Sequence, residues 1–243
     1  MKIQVCITTF ERAESLRRLL LDLAREGAQR VCVYDDCSQS DDYTQVIAQI
    51  ERNGWKWYRA QTNHGKAGHP RLLAQIWRDL AEESSADLYV FLQDDNRLCF
   101  RFFERLCDTW QSLDSASKAT LMLMTDTRNT IWGAAKRPVS FGKADWIGWV
   151  DSIYAAPSRT LCDMDFKFPV ADSGAATSSG AGRGLTSALR RRGLEMYRAN
   201  PSLVAHAGIP SRMHGKEREK HPLLAKNFID GEERHDQLLR GEI

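Results

Sequence analysis

Short apolar runs alternate with longer amphipathic segments through the first part of the chain. Residues 2–8 (Lys-Ile-Gln-Val-Cys-Ile-Thr) predict a strand. Residues 14–25 place Leu16, Leu19, Leu20 and Leu23 at helical spacing, with Gly27 just past the end. A second strand over 30–35 runs into Asp35-Asp36 and a polar loop, and a second helix over 43–52 closes at Asn53-Gly54. A third strand is expected over 55–61, followed by a loop over 63–69. Pro70 suits the first turn of the next helix, whose apolar face is Leu72, Leu73, Ile76, Trp77 and Leu80. Residues 87–92 form the fourth strand. Strands and helices alternating over short connections mean parallel pairing with right-handed crossovers, an α/β sheet of nucleotide-binding type.

The rhythm then changes. A helix over 100–113 and a buried strand over 119–125 precede irregular Gly and Trp positions, among them Trp146, Gly148 and Trp149. Residues 171–184 are rich in Gly and Ser without apolar periodicity and read as a mobile loop, the place for a lid over a ligand. A short basic helix over 185–192 and a short strand over 201–205 reaching His206 follow, and a charged tail from residue 216 is expected to pack loosely.

The chemistry concentrates at Tyr89-Val90-Phe91-Leu92-Gln93-Asp94-Asp95-Asn96. A buried parallel strand reads as a continuous apolar run, and ligands gather at the carboxyl ends of such strands. Two adjacent carboxylates there repel each other and need compensation. A divalent cation shared with a phosphate-bearing ligand would supply it, since hard cations prefer carboxylate oxygen. The competing reading is a solvated Asp-Asp-Asn turn.

Composition narrows this only slightly. With 243 residues, 42% hydrophobic and 27% charged, the chain is an ordinary globular α/β protein, and a formal net charge of +2 calls for no polyanionic partner. Nine Lys or Arg against three Glu between residues 183 and 220 form either a solvated helix face or a phosphate-facing stripe. The six cysteines contain no Cys-x-x-Cys pair, and several sit inside apolar runs where a thiol acts as a small hydrophobe. With no signal peptide and no apolar stretch of membrane-span length, the expectation is a cytoplasmic protein with reduced thiols.

Four loops fall at the ends of successive strands: Thr8-Thr9-Phe10-Glu11-Arg12, Asp35-Asp36, residues 63–71 and Gln93-Asp94-Asp95-Asn96. Their order resembles the nucleotide-sugar-binding half of GT-A glycosyltransferases, the family 2-like inverting enzymes in particular. The resemblance covers about residues 1–115 and implies a GT-A fold, a Rossmann-like mixed sheet flanked by helices with an irregular acceptor-side C-terminal part. It implies a nucleotide-sugar-binding half over 1–115, an acceptor-side half of the same domain over 116–215 and a charged tail over 216–243.

Carried over residue by residue, the resemblance implies a UDP-sugar donor held by Thr8, Phe10, Arg12, Asp35, Asp36, Gly65, Lys66, Arg71 and Asp94. Asp35 or Asp36 would accept the uracil imide or ribose hydroxyls, Gly65 would let backbone N–H groups approach the diphosphate, and Asp94 would face sugar hydroxyls. Asp95 and His206 would hold Mn²⁺ or Mg²⁺, with His214 in reserve for the histidine. Gln93 departs from the family's first acidic position, leaving one direct carboxylate ligand.

An inverting enzyme needs a carboxylate to take the acceptor's proton. The family's position for it reads Ala181-Gly182-Arg183-Gly184 here, so the base is expected at Asp151 or else Asp172. Trp146, Gly148 and Trp149 would line the acceptor, whose identity stays open between glycan, protein and modified nucleic-acid base. The alternatives are a non-catalytic nucleotide-sugar-binding module, which the missing base permits, and a nucleotidyltransferase. The second lacks support because residues 7–12 contain no glycine.

Overall fold

The computed structural model describes residues 1–40, 42–83, 85–125, 140–141, 144–147, 150, 152–169, 179–207, 225, 228–231, 233, 236–237 and 240. The first part follows the predicted rhythm: β1 (Ile3–Thr9), α1 (Ala13–Arg25), β2 (Val31–Asp35), α2 (Tyr43–Arg52), β3 (Lys56–Arg59), α3 (Gly65–Glu83) and β4 (Leu88–Gln93). Next come β5 (Asn96–Leu98), α4 (Phe102–Gln111), β6 (Lys118–Met122), β7 (Ser140–Phe141), β8 (Ala144–Ile147), β9 (Tyr154–Pro157) and α5 (Ser158–Asp163). α6 (Ser179–Arg191), β10 (Glu195–Ala199) and β11 (Val204–His206) complete the elements.

The main sheet has nine strands in the order β3-β2-β1-β4-β9-β6-β10-β8-β7. β1 pairs in parallel with both β2 and β4, and β2 with β3. β9 then enters antiparallel between β4 and β6, and β10 lies parallel to β6. All five residues of β2 and the first five of β4 are buried, as expected for strands covered on both faces. One face packs on Leu16, Leu19, Leu20 and Leu23 of α1 with Val46 and Ile50 of α2. The other packs on Leu72, Leu73, Ile76 and Trp77 of α3 with Leu185 and Leu189 of α6. The register aligns Thr9 with Asp35 and Thr8 with Gln93, so three strands end at one rim. A separate two-stranded sheet pairs Asn96 with His206 and Arg97 with Ala205.

Several expectations are corrected. α3 begins at Gly65 rather than at Pro70, which lies inside the helix. Asp36 accepts N–H groups at the head of the helix, and Gly65 supplies the positive φ (+60°) its entry needs. Of the expected loop over 171–184, residues 179–184 are the first turns of α6, and the others lie outside the described residues except in their sequence. Gly182 and Gly184 are buried there, so the helix packs through the absence of side chains, which leaves no apolar period to read. The tail is not loose where it is described: Phe228 packs against the core, and Asp230 bridges to Cys99. β5, β9, α5 and β10 carried no clear sequence signal, being short or lacking periodicity. No helix among the described residues is long and apolar enough to cross a membrane.

Candidate functional site

β1 and β4 deliver the acid pair to one rim. Asp94 Oδ2 accepts the Thr9 hydroxyl at 2.9 Å and the Phe10 N–H at 3.2 Å, while Oδ1 receives Arg12 Nη1 at 3.4 Å. The same Arg12 nitrogen donates to Asp95 Oδ2 at 2.9 Å, and His206 Nδ1 lies 3.2 Å from Asp95 Oδ1. Ala207 N–H donates to the Asp95 carbonyl at 2.8 Å, tying the end of β11 to the turn after β4. Asp94 and Asp95 are both buried, so water cannot screen their repulsion, and Arg12 and His206 compensate it.

The two carboxyls are electrostatically unlike. Burial, followed by the neighbouring Asp95 charge, pushes Asp94 up to about 7 despite Arg12 and the Thr9 and Phe10 hydrogen bonds. Burial also pushes Asp95 upward, but the His206 hydrogen bond and charge together with Arg12 outweigh it and hold Asp95 below the ordinary value. Asp95 is therefore the stronger acid of the two, and Asp94 the one that takes up a proton first as the pH falls.

A relay of hydroxyls holds the β1 turn. Arg12 N–H donates to Tyr43 Oη at 2.9 Å, and Tyr43 lies 2.9 Å from Thr9 Oγ1, which donates to Asp94. Since Thr9 spends its proton on Asp94, Tyr43 must donate to Thr9. Tyr43 is the first residue of α2 and had no sequence signal beyond its apolar face.

Asp35 and Asp36 are also engaged. Asp35, 0% exposed, receives the Ser38 hydroxyl at 2.5 Å and Arg59 Nε at 2.7 Å. Asp36 accepts the His64 N–H at 3.0 Å, His64 Nδ1 at 2.5 Å and the Gly65 N–H at 3.2 Å. Because a carboxylate only accepts, the His64 proton sits on Nδ1. A ligand reaching Asp35 would have to displace Arg59. His64, Ser38 and Arg59 were missed from sequence, since nothing local marks His64 and Arg59 as partners of residues 28 and 24 positions away.

Thr8, Phe10, Arg12, Asp94, Asp95 and His206 thus gather at the β1–β4 rim, with Asp35, Asp36 and Gly65 at the neighbouring β2 end. Arg71 is exposed on α3, and the Lys66 side chain lies outside the described residues. Asp151, Asp172, Gly148, Trp149 and His214 lie outside them too, and Trp146 is described only as backbone in β8. Gln93, in place of an acidic residue, donates through Nε2 to Ser152 Oγ at 3.1 Å.

Asp95 and His206 are the donor pair that could hold a divalent ion. Carboxylate oxygen and neutral imidazole both suit Mn²⁺; here His206 Nδ1 donates to Asp95 Oδ1, so an ion would have to replace that shared proton or take the Nε2 side of the ring. Among the described residues no group of three or more His, Cys, Asp or Glu side chains is placed to hold one. The pair therefore fits an ion that takes its other ligands from a phosphate-bearing molecule and water.

No family model and no curated protein matches the sequence. Solved structures do match in fold. The S. aureus TarS 1-349 structure is 16% identical with a TM-score of 0.56, covering 86% of this chain and 61% of that one. The mannosyltransferase PcManGT from Pyrobaculum calidifontis, in complex with GDP-Man and Mn2+, is 16% identical with a TM-score of 0.58, covering 88% and 59%. GalNAc-T7 with UDP, GalNAc and Mn2+ is 11% identical with a TM-score of 0.59, covering 85% and 44%. This chain spans about three fifths of the length of the first two. With its parallel β3-β2-β1-β4 order and the antiparallel β9 beside β4, the chain has the GT-A fold of these glycosyltransferase structures.

Proposed function

We propose that this protein is a nucleotide-sugar-dependent glycosyltransferase that moves a sugar, most simply from a UDP-sugar, to a hydroxyl of a glycan, protein or modified nucleic-acid base. The observation that supports it is the convergence of Asp95, His206 and Arg12 at the carboxyl ends of β1 and β4 within this fold. Asp95 and His206 would hold Mn²⁺ or Mg²⁺, which when bound supplies Lewis-acid neutralisation of a departing diphosphate. Arg12, between the two carboxylates, would present its cation to the same phosphates. Gly65 N–H itself is held by Asp36, so at the head of α3 it is the positive end of the helix, approached without a side chain at Gly65, that would draw the diphosphate. Asp94, held by Thr9 and Phe10, fixes the turn from which Asp95 projects. Asp151, then Asp172, remains the proposed acceptor base.

A second reading, a binding module without turnover, draws on the head of α6, where Gly182-Arg183-Gly184 offers no carboxylate. The two readings separate on turnover: release of UDP in the presence of an acceptor argues for the enzyme, and UDP binding without release for the module. Titration calorimetry with UDP and Mn²⁺ tests the site itself. Asp95→Ala is expected to weaken binding by roughly tenfold or more, as loss of a metal ligand or its close partner does, while circular dichroism stays native. Equal affinity in the variant refutes the assignment.

A further inference from the structure

The strands that hold Asp95 opposite His206 do not belong to the main sheet. β5 has three residues and β11 three, and such a two-stranded ribbon is marginal unless something outside holds it. Arg97, the middle residue of β5, is 8% exposed and bridges two distant elements. Its Nε donates to Asp22 Oδ2 of α1 at 3.2 Å, and its Nη2 donates to Asp230 Oδ1 at 2.9 Å, 133 residues further along. The segment around Asp230 runs beside the end of β5. Phe100 N–H donates to the Ile229 carbonyl at 3.1 Å, and Cys99 forms an antiparallel bridge with Asp230. Gly231 lies so close that a Cβ there would stand 2.8 Å from the Leu98 carbonyl oxygen, so this approach admits no side chain.

We propose that the segment over 228–231 braces the donor site from outside it, with Asp230 as a positioning residue that acts through Arg97. The inference rests on the glycosyltransferase reading above. The guanidinium is planar and its donors diverge in fixed directions, so two carboxylates on separate elements set its orientation where one would leave it free to tilt. Asp22 holds Arg97 toward α1, and Asp230 holds it toward the C-terminal segment. With both in place β5 cannot slide or twist, and the Asn96–His206 pairing keeps the imidazole against Asp95. Without Asp230, Arg97 loses one of the two carboxylates that orient it and relaxes toward Asp22, taking β5 with it.

The test uses the full chain with UDP and Mn²⁺ as probes, together with amide hydrogen exchange in the free protein. Asp230→Ala is expected to lower the affinity severalfold, less than the roughly tenfold that loss of a direct partner of a metal ligand costs. It should also speed exchange over residues 96–98 and 204–207 while leaving β1 and β4 unchanged. Asp230→Glu, which restores the carboxylate, should recover most of both. Asp230→Asn, which keeps an acceptor oxygen, takes the place of the alanine variant if that variant does not fold. A fall in melting temperature with affinity and local exchange unchanged overturns the positioning role. A wild-type chain that takes up no UDP refutes the glycosyltransferase reading instead, and the exchange data alone then decide whether Asp230 holds the strand pair.

Discussion

Replacing Asp36 by alanine isolates what starts α3. The carboxylate is 7% exposed and receives three donors: the His64 N–H at 3.0 Å, His64 Nδ1 at 2.5 Å and the Gly65 N–H at 3.2 Å. Loss of a side-chain acceptor at a helix start costs about 1 kcal/mol. Leaving part-buried donors unsatisfied adds about 1–2 kcal/mol, at the low end because the His64 side chain is 29% exposed and water can reach it. The total of about 2–3 kcal/mol corresponds to a melting-temperature drop of roughly 5–10 °C in a chain of this size. Asp36→Asn, which keeps one acceptor, should lose about half as much. His64→Ala should cost about 1 kcal/mol and be non-additive with Asp36→Ala, because the two share a contact. Thermal unfolding by circular dichroism and urea titration measure these three variants and the Asp36→Ala, His64→Ala double variant. An Asp36→Ala protein that melts within about 1 °C of wild type would show that these hydrogen bonds do not hold the head of α3, and the explanation for its start before Pro70 would fall.

Arg12→Met should destabilise the fold by about 3 kcal/mol, the lower end for breaking a buried ion pair, because His206 still faces Asp95. Arg12→Lys should recover only part, since an ammonium lacks the geometry to serve both carboxylates; urea midpoints decide, and a methionine variant as stable as wild type refutes the compensation argument. The cysteines should divide by burial: exposed Cys162 is alkylated first, and buried Cys6, Cys32 and Cys99 resist until the protein unfolds. Burial pushes the Cys99 thiol up to about 12, and Cys6 likewise lies well above its ordinary value, so little reactive thiolate forms. Peptide mapping after timed iodoacetamide treatment reads the order, and labelling of Cys99 as fast as Cys162 in native protein contradicts it.

Sequence by itself determined the alternation through β4, because β2 and β4 are unbroken apolar runs, β1 is one interrupted only by Gln4 before its closing threonines, and α1 and α2 each show one apolar stripe. Val31–Asp35 and Leu88–Gln93 could be read directly, and so could the acids that end them. The acid turn and the Arg12 turn were legible as candidates, since each follows a strand and parallel register brings those strand ends together. The C-terminal histidine, at the end of β11, reaches them through the antiparallel pairing with β5. What sequence could not carry was which charge answers which. Whether Asp35 and Asp36 face a ligand or the protein depends on Arg59 and His64, and whether the acid pair stands open depends on Arg12. Those partners are set by the three-dimensional approach of loops with no shared period.

The later part of the chain was harder for a related reason. α6 opens on buried glycines, β5 and β11 are too short to show alternation, and β9 pairs antiparallel between strands far from it in sequence. The docking of residues 228–231 was invisible for the same cause. Four residues with one phenylalanine and one aspartate carry no pattern, and only the fold reveals that Asp230 meets Arg97 beside the strand that leads from Asp95. Local pattern specifies an element when its own side chains supply the burial; where a distant residue supplies it, tertiary structure decides.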